Sequence, residues 1–182
     1  MSSSTRALLV VLVVAAVVRA ISWADFRETP FAARAIEDEE FYDAWAQRIL
    51  EGQPDPDVYH MSPLPAYVLA LEYRVLGRSF DRVRLAGALA GLLSVLLAFL
   101  LTREAFGPGA GVLSAATLAI FAPAVFYESS LLPLAHSLTV TLGAAWAAVA
   151  ANGALAAATV AAVPGAAEAA ASTTTSRTFA SE

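Results

Sequence analysis

VRLAGALAGLLSVLLAFLLT, residues 83–102, carries one charge, Arg84, in twenty residues. A helix rises 1.5 Å per residue, so this stretch covers the roughly 30 Å of a bilayer's hydrocarbon core. Gly87, Ala88, Gly91 and Ser94 recur along it at helical spacing, and small side chains let a second helix approach closely within lipid. Arg82 precedes it and Arg103-Glu104 follows it, so both ends carry the charges that water would hold. The stretch predicts a membrane-spanning helix with a packing face.

Downstream, Phe106-Gly107-Pro108-Gly109 reads as a tight turn into a further span at about 110–126. Tyr127-Glu128-Ser129-Ser130 is a short polar break. A last span follows at about 131–151, with Pro133 and His136 near its start. Upstream, residues 7–24 form an apolar run interrupted by Arg19, with Trp23 where an interfacial aromatic is expected. A cleaved signal peptide is the alternative for this run, and Arg19 just ahead of any small-residue cut disfavours it. Arg19 has two readings: a side chain snorkelling to the interface, or a cation facing the bundle and pairing with an acid or a lipid phosphate.

Composition agrees with this pattern. Hydrophobic residues make up 58% of the 182 and charged ones only 15%, against about 25% charged in soluble domains. The expected fold is an all-α polytopic helix bundle of about four transmembrane helices, filling residues 1–152. With no cysteine, disulfides and thiolate metal sites are excluded. His60 and His136 stand too far apart in sequence to suggest a metal site, so no metal or cofactor is expected. Every basic residue is arginine, none is clustered, and net charge is −5, so no nucleic-acid partner is expected. Residues 153–182 turn alanine-rich and then Ser/Thr-rich, and read as a disordered tail.

Residues 25–82 form one long polar loop, with Arg84 just beyond it, and this stretch holds most of the charge. Within it Asp38 can cap a helix whose first turn carries Glu39 and Glu40, as the helix dipole favours. Phe41, Ala44, Trp45 and Ile49 would share one face, with Asp43, Gln47 and Glu51 opposite; Gly52 suits the C-terminal stop. A second helix would be capped by Ser62, admit Pro63 in its first turn, and align Leu64, Tyr67, Val68, Leu71 and Val75 before Gly77. Both are too short to span and read as amphipathic interfacial helices, with Tyr42 and Trp45 as membrane anchors.

An ordered series of short matches over about 120 residues carries a resemblance. It runs from Asp38-Glu39-x-x-Tyr42 and Ile49-Leu50-x-Gly52 through Ser62-Pro63-Leu64-Pro65-Ala66-Tyr67 and Leu76-Gly77 to Val83-Arg84-Leu85. Arg103-Glu104-x-Phe106-Gly107, Ala122-Pro123-x-x-x-Phe126-Tyr127 and Leu131-Leu132-Pro133 continue it. The series resembles the amino-terminal region of the GT-C polytopic glycosyltransferases, most closely the ArnT-like and protein O-mannosyltransferase-like group. The resemblance implies transfer of a sugar from a polyprenyl-phosphate donor to an acceptor hydroxyl on the extracytoplasmic side, usually with inversion.

It also implies a multi-pass protein of the cell membrane, of the bacterial inner-membrane kind, with membrane lipid and the lipid-linked donor as partners. The family's acidic dyad falls on Asp38 and Glu39, expected to be catalytic because a hydroxyl is a poor nucleophile until a base takes its proton. Arg19, Arg34 and Arg48 are candidates for the donor phosphate. The expected substrate-binding residues are Arg19, Tyr42, His60 and Glu128.

Two features depart from the family. Members usually have about twice as many spans, so the chain reads as truncated, and a partner chain would have to supply the missing helices. Placing the loop outside also puts Arg27, Arg34, Arg48, Arg74, Arg78, Arg82 and Arg84 there, against the positive-inside tendency, which weakens for loops of about 60 residues. The alternative function is a non-catalytic four-span protein acting as a binding or assembly module.

Overall fold

The computed structural model describes residues 2–53, 61–132 and 134–161. They form helices α1 (Ser3–Arg27), α2 (Asp38–Leu50), α3 (Leu64–Leu76), α4 (Phe80–Phe106), α5 (Pro108–Ala119), α6 (Ala122–Glu128) and α7 (Leu134–Ala161). No strand occurs among the described residues. The fold is an all-α polytopic bundle, as expected.

Among the described residues three helices are long and apolar enough to cross a membrane: α1, α4 and residues 134–155 of α7. The central one is α4, packed against α1, α3, α5, α6 and α7. Ser94 and Thr139 tie α4 to α7 with a 2.7 Å hydroxyl contact, and Thr139 also donates to the Ala90 carbonyl at 2.8 Å. Ala15, Val95, Phe99, Ala115 and Ala119 form the core between α1, α4 and α5. Leu9, Val10, Val13 and Val17 face outward from α1, as a lipid-facing surface requires.

The expected span at 110–126 is broken. Helices α5 and α6 meet at a 57° bend across Ile120 and Phe121, so together they make at most one bent span. Pro123 supplies the reason. It has no N–H for the Ala119 carbonyl four residues back, and its ring opposes a continuous helix. Beyond α6, Ser129 and Ser130 close turns onto Phe126 and Tyr127, at the polar break expected there. Helix α7 continues to Ala161, past the 152/153 boundary expected from composition; residues 162–182 lie outside the described residues.

Helices α2 and α3 pack together at one end of the bundle around Tyr42, Trp45, Ala46, Leu69, Ala70 and Tyr73, with Val83 and Leu131 joining from the spans. The expected faces need correction. In α2 the buried side is Tyr42, Asp43, Trp45 and Ala46, while Phe41 faces outward. Tyr42 and Trp45, stacked at 6.3 Å, are core residues and not membrane anchors. In α3 the apolar row Leu64, Tyr67, Leu71 and Val75 faces outward, and Ala66, Leu69, Ala70 and Tyr73 pack inward. Ala66 and Ala70 let α3 approach α2 closely, while Leu69 and Tyr73 fill the core between them.

The caps also differ in part. Asp38 is the first helical residue and not the cap; Glu37 precedes it at φ +50° with no side-chain cap bond. Ser62 gives way to Pro63 at the cap of α3. At the end of α2 the Gly52 stop forms as read: Gly52 holds φ +70°, its N–H donates to Ile49 O, and Gln53 N–H donates to Arg48 O. That pair of bonds is a Schellman closure.

Candidate functional site

Successive helical residues point about 100° apart, and this separates the two acids of the expected dyad. Asp38 is exposed. It lines an open cleft of about 490 Å³ with Tyr42, Met61, Tyr127, Leu132 and Ser137. Glu39 turns inward: its Oε1 accepts from the Leu131 backbone N–H at 3.0 Å, and its Oε2 lies 3.8 Å from the Arg84 guanidinium. Burial raises the Glu39 pKa above the usual carboxylate value, opposed by the Leu131 N–H and Arg84. Glu39 therefore acts as a strut between α2 and the start of the last span, and Asp38 is the carboxylate left facing the cleft. The backbone at Glu37, in a sparsely populated region for a non-glycine residue, sets the entry into this turn.

Arg84 organises that strut. It is almost fully buried and donates to the carbonyls of Ser129 at 2.9 Å, Ala32 at 2.6 Å and Phe31 at 3.2 Å. Its guanidinium also lies over the Phe26 ring at 4.7 Å. A charge is tolerated at that depth because its donors are matched by acceptors. The sequence pattern placed Arg84 only as a flank of the span; nothing local to it signals the carbonyls of a loop some fifty residues earlier.

Arg19 and Glu128, both expected to contact substrate, are joined to each other. Arg19 NH2 donates to Glu128 Oε1 at 2.7 Å, with the two side chains 3% and 4% exposed. Arg19 NH1 also reaches Ala15 O at 3.2 Å and Ala119 O at 3.4 Å. Ala119 O is the carbonyl that Pro123 leaves without its helical N–H. The bundle-facing reading of Arg19 is the one realised, with an acid as partner. Gly91 and Gly87 make room: a Cβ at Gly91 would overlap the Glu128 carboxyl group, and one at Gly87 would overlap the Glu128 carbonyl.

A second groove, of about 460 Å³ and almost wholly apolar, runs beside the broken span past Leu118, Phe121, Ala124, Ala135 and Leu138. Tyr127, Leu134 and Ser137 line both this groove and the Asp38 cleft, so the two are adjacent. Neither is lined by an arginine among the described residues. Tyr42, expected to bind substrate, lines the cleft with its ring while its hydroxyl donates to Ser62 O at 3.3 Å. His60 lies outside the described residues.

Two further polar groups, Asp43 and His136, meet partners distant in sequence. Asp43, expected on the solvated face, is buried and accepts from Tyr73 Oη at 2.5 Å and from Arg78 at 2.8 Å. Desolvation and the Asp43 carboxylate push the Tyr73 phenol well above its ordinary pKa, so it stays a donor. His136 Nε2 stands 3.1 Å from Glu72 Oε1, linking α7 to α3. No group of metal-ligating side chains occurs among the described residues.

The family model described as dolichyl-phosphate-mannose-protein mannosyltransferase matches residues 60–157. The matched segment takes in α3 to α6 and most of α7, more than half of the chain, while Asp38 and Glu39 lie ahead of it. No curated protein and no solved structure matches. The chain belongs to the dolichyl-phosphate-mannose-protein mannosyltransferase family, which makes it a membrane protein of glycosyltransferase kind.

Proposed function

We propose that this family member transfers a sugar from a polyprenyl-phosphate donor to an acceptor hydroxyl, with Asp38 as the base. One observation carries the reading: the exposed Asp38 lines a cleft that shares Tyr127, Leu134 and Ser137 with an adjacent apolar groove along the spans. A polyprenyl-linked sugar has that division of chemistry, an apolar chain at one end and a polar reacting centre at the other. The chain would lie along Phe121, Ala124 and Leu138, and the phosphate near the Tyr127 and Ser137 hydroxyls.

In the step itself the acceptor oxygen attacks the anomeric carbon as its proton passes to Asp38. The bond from that carbon to the phosphate oxygen breaks, and polyprenyl phosphate leaves with the electron pair. A base placed in this way contributes typically 10²–10⁴-fold. Glu39 and Arg84 hold the turn that presents Asp38; they take no proton. The cleft opens on the extracytoplasmic side in this reading, the side on which the resemblance implies that the dyad lies.

The test is sugar transfer from radiolabelled lipid donor in membranes holding matched amounts of each variant. Asp38→Asn keeps the shape at the first helical residue, just inside the Glu37 cap, so transfer should fall about 10²-fold or more with the fold intact. Undiminished transfer by Asp38→Asn would place the base elsewhere. A wild-type chain that binds donor and transfers nothing would favour a binding module.

A further inference from the structure

The joint between α1, α4 and α6 contains more polar atoms than the ion pair uses. Arg19 Nε, Glu128 Oε2 and Trp23 Nε1 are each buried and have no partner among the described residues. Arg19 and Trp23 are one helical turn apart and so share a face of α1, and Glu128 reaches them from α6. All three residues line one small cavity, together with Ser22, Arg84, Ala88, Val125 and Ser129. Its volume is about 10 Å³, close to one water-sized probe sphere.

The chemistry of the three atoms is complementary to one small ligand. Trp23 Nε1–H and Arg19 Nε–H are donors only, and Glu128 Oε2 of the paired carboxylate is an acceptor. A single water molecule accepts from the first two and donates to the third. An apolar molecule would leave all three unpaired, and anything larger would not fit. We propose that this cavity is a structural water site and that the Arg19–Glu128 pair is completed by one bound water. Buried waters of this type make about three hydrogen bonds to groups that would otherwise be unmatched.

This explains how the bundle holds a charged pair at span depth. Arg19 then uses NH2 on Glu128 Oε1, NH1 on the Ala15 and Ala119 carbonyls, and Nε on the water, so that each of its three nitrogens has an acceptor. The water also links Trp23 to α6, so that α1 braces the bend at Pro123 through two residues. Glu128 forms part of the groove wall on its other side, so the joint sets the wall's position. The inference rests on the cavity and its polar atoms and is independent of the transfer reaction.

The test uses the full chain in lipid nanodiscs with its three tryptophans labelled at the indole nitrogen. Trp23→Phe assigns the Trp23 signal by its loss. In the wild type the Trp23 indole proton should show a cross-relaxation peak to water, of opposite sign in the laboratory and rotating frames, as a long-lived bound water gives. Ala88→Leu fills the cavity and should abolish that peak while the Trp23 signal remains. If Ala88→Leu collapses the other indole signals, Val125→Phe fills the cavity from the α6 side and takes its place. Absence of the peak in a well-dispersed wild-type spectrum would mean that Trp23 bonds the protein directly, and would overturn the proposal. Persistence of the peak at full strength in the filled variant would overturn it as well.

Discussion

Replacing Gly91 with alanine ought to stabilise a helix. Gly costs about 1 kcal/mol relative to Ala in a helix interior, and Gly91 lies well inside α4. Here the sign reverses, because the added Cβ would fall on the Glu128 carboxyl group. That group is the end of a flexible side chain and could swing aside, but doing so gives up Arg19, which is 4% exposed and has no other acid on it among the described residues. Leaving one partner of a buried pair uncompensated costs about 3–5 kcal/mol. Setting the propensity gain against this, Gly91→Ala should lose about 2–4 kcal/mol.

Gly143→Ala is the control: its Cβ meets Leu97 Cδ1 at an ordinary 3.7 Å, so it should be neutral or stabilising. Equilibrium unfolding in mixed detergent micelles measures both. The decisive measurement is the double-mutant cycle with Glu128→Ala, in which Gly91→Ala should cost little because the displaced group is gone. A Gly91→Ala variant as stable as Gly143→Ala, or one whose cost persists unchanged in the Glu128→Ala background, would refute the reasoning.

Three other outcomes are expected. Glu39 has its folded pKa raised by burial above the ordinary carboxylate value of 4.5, so its contribution to stability is present below that pH and lost as pH rises through the folded value. Glu39→Gln, which keeps an oxygen for the Leu131 N–H, should therefore flatten stability against pH above about 4.5 relative to wild type; parallel curves would contradict this. Tyr73→Phe removes a buried hydrogen bond to a carboxylate and should cost about 1.5–3 kcal/mol in thermal unfolding, whereas a melting curve like that of the wild type would show Asp43 to be satisfied by Arg78 and Gln47. A cysteine placed at Arg34, in the loop before α2, should react with an impermeant thiol reagent from the extracytoplasmic side; labelling from the cytoplasm alone would reverse the orientation.

Where the sequence was legible, one dominant force decided the outcome. The spans follow from uninterrupted apolar length, and the stop of α2 from Gly52, the residue that takes a positive φ at no steric cost. The facing of α2 and α3 was not legible, because a carboxylate at Asp43 counts as polar in any periodicity. It is buried only because Tyr73 and Arg78, thirty and thirty-five residues away, meet it. The same holds for Arg19, Glu128 and Arg84. Each looks like an interfacial or loop charge until its partner, distant in sequence, is known. The small-residue row at Gly87 and Gly91 was visible, but as a helix-packing signal; that it makes room for an acid on α6 depends on where the next span breaks.

That break ties the two ends of the site together. Pro123 leaves the Ala119 carbonyl without its helical partner, and in lipid such a carbonyl must find a donor. Arg19 supplies it and brings a charge into the bundle, and Glu128, five residues past the proline, neutralises that charge. The bend also starts the segment in which Ser129 O accepts from Arg84 and Leu131 N–H donates to Glu39. Glu39 is joined by one peptide bond to Asp38, so the carboxylate in the cleft is positioned through the bend of a span it does not touch. Tyr127, on the bent segment, then lies where the apolar groove meets the cleft. A straight third span, with its carbonyls satisfied internally, would need neither Arg19 nor Glu128, and would carry Tyr127 away from Asp38. The charged residues within the spans are thus the consequence of the proline, and the cleft is the consequence of both.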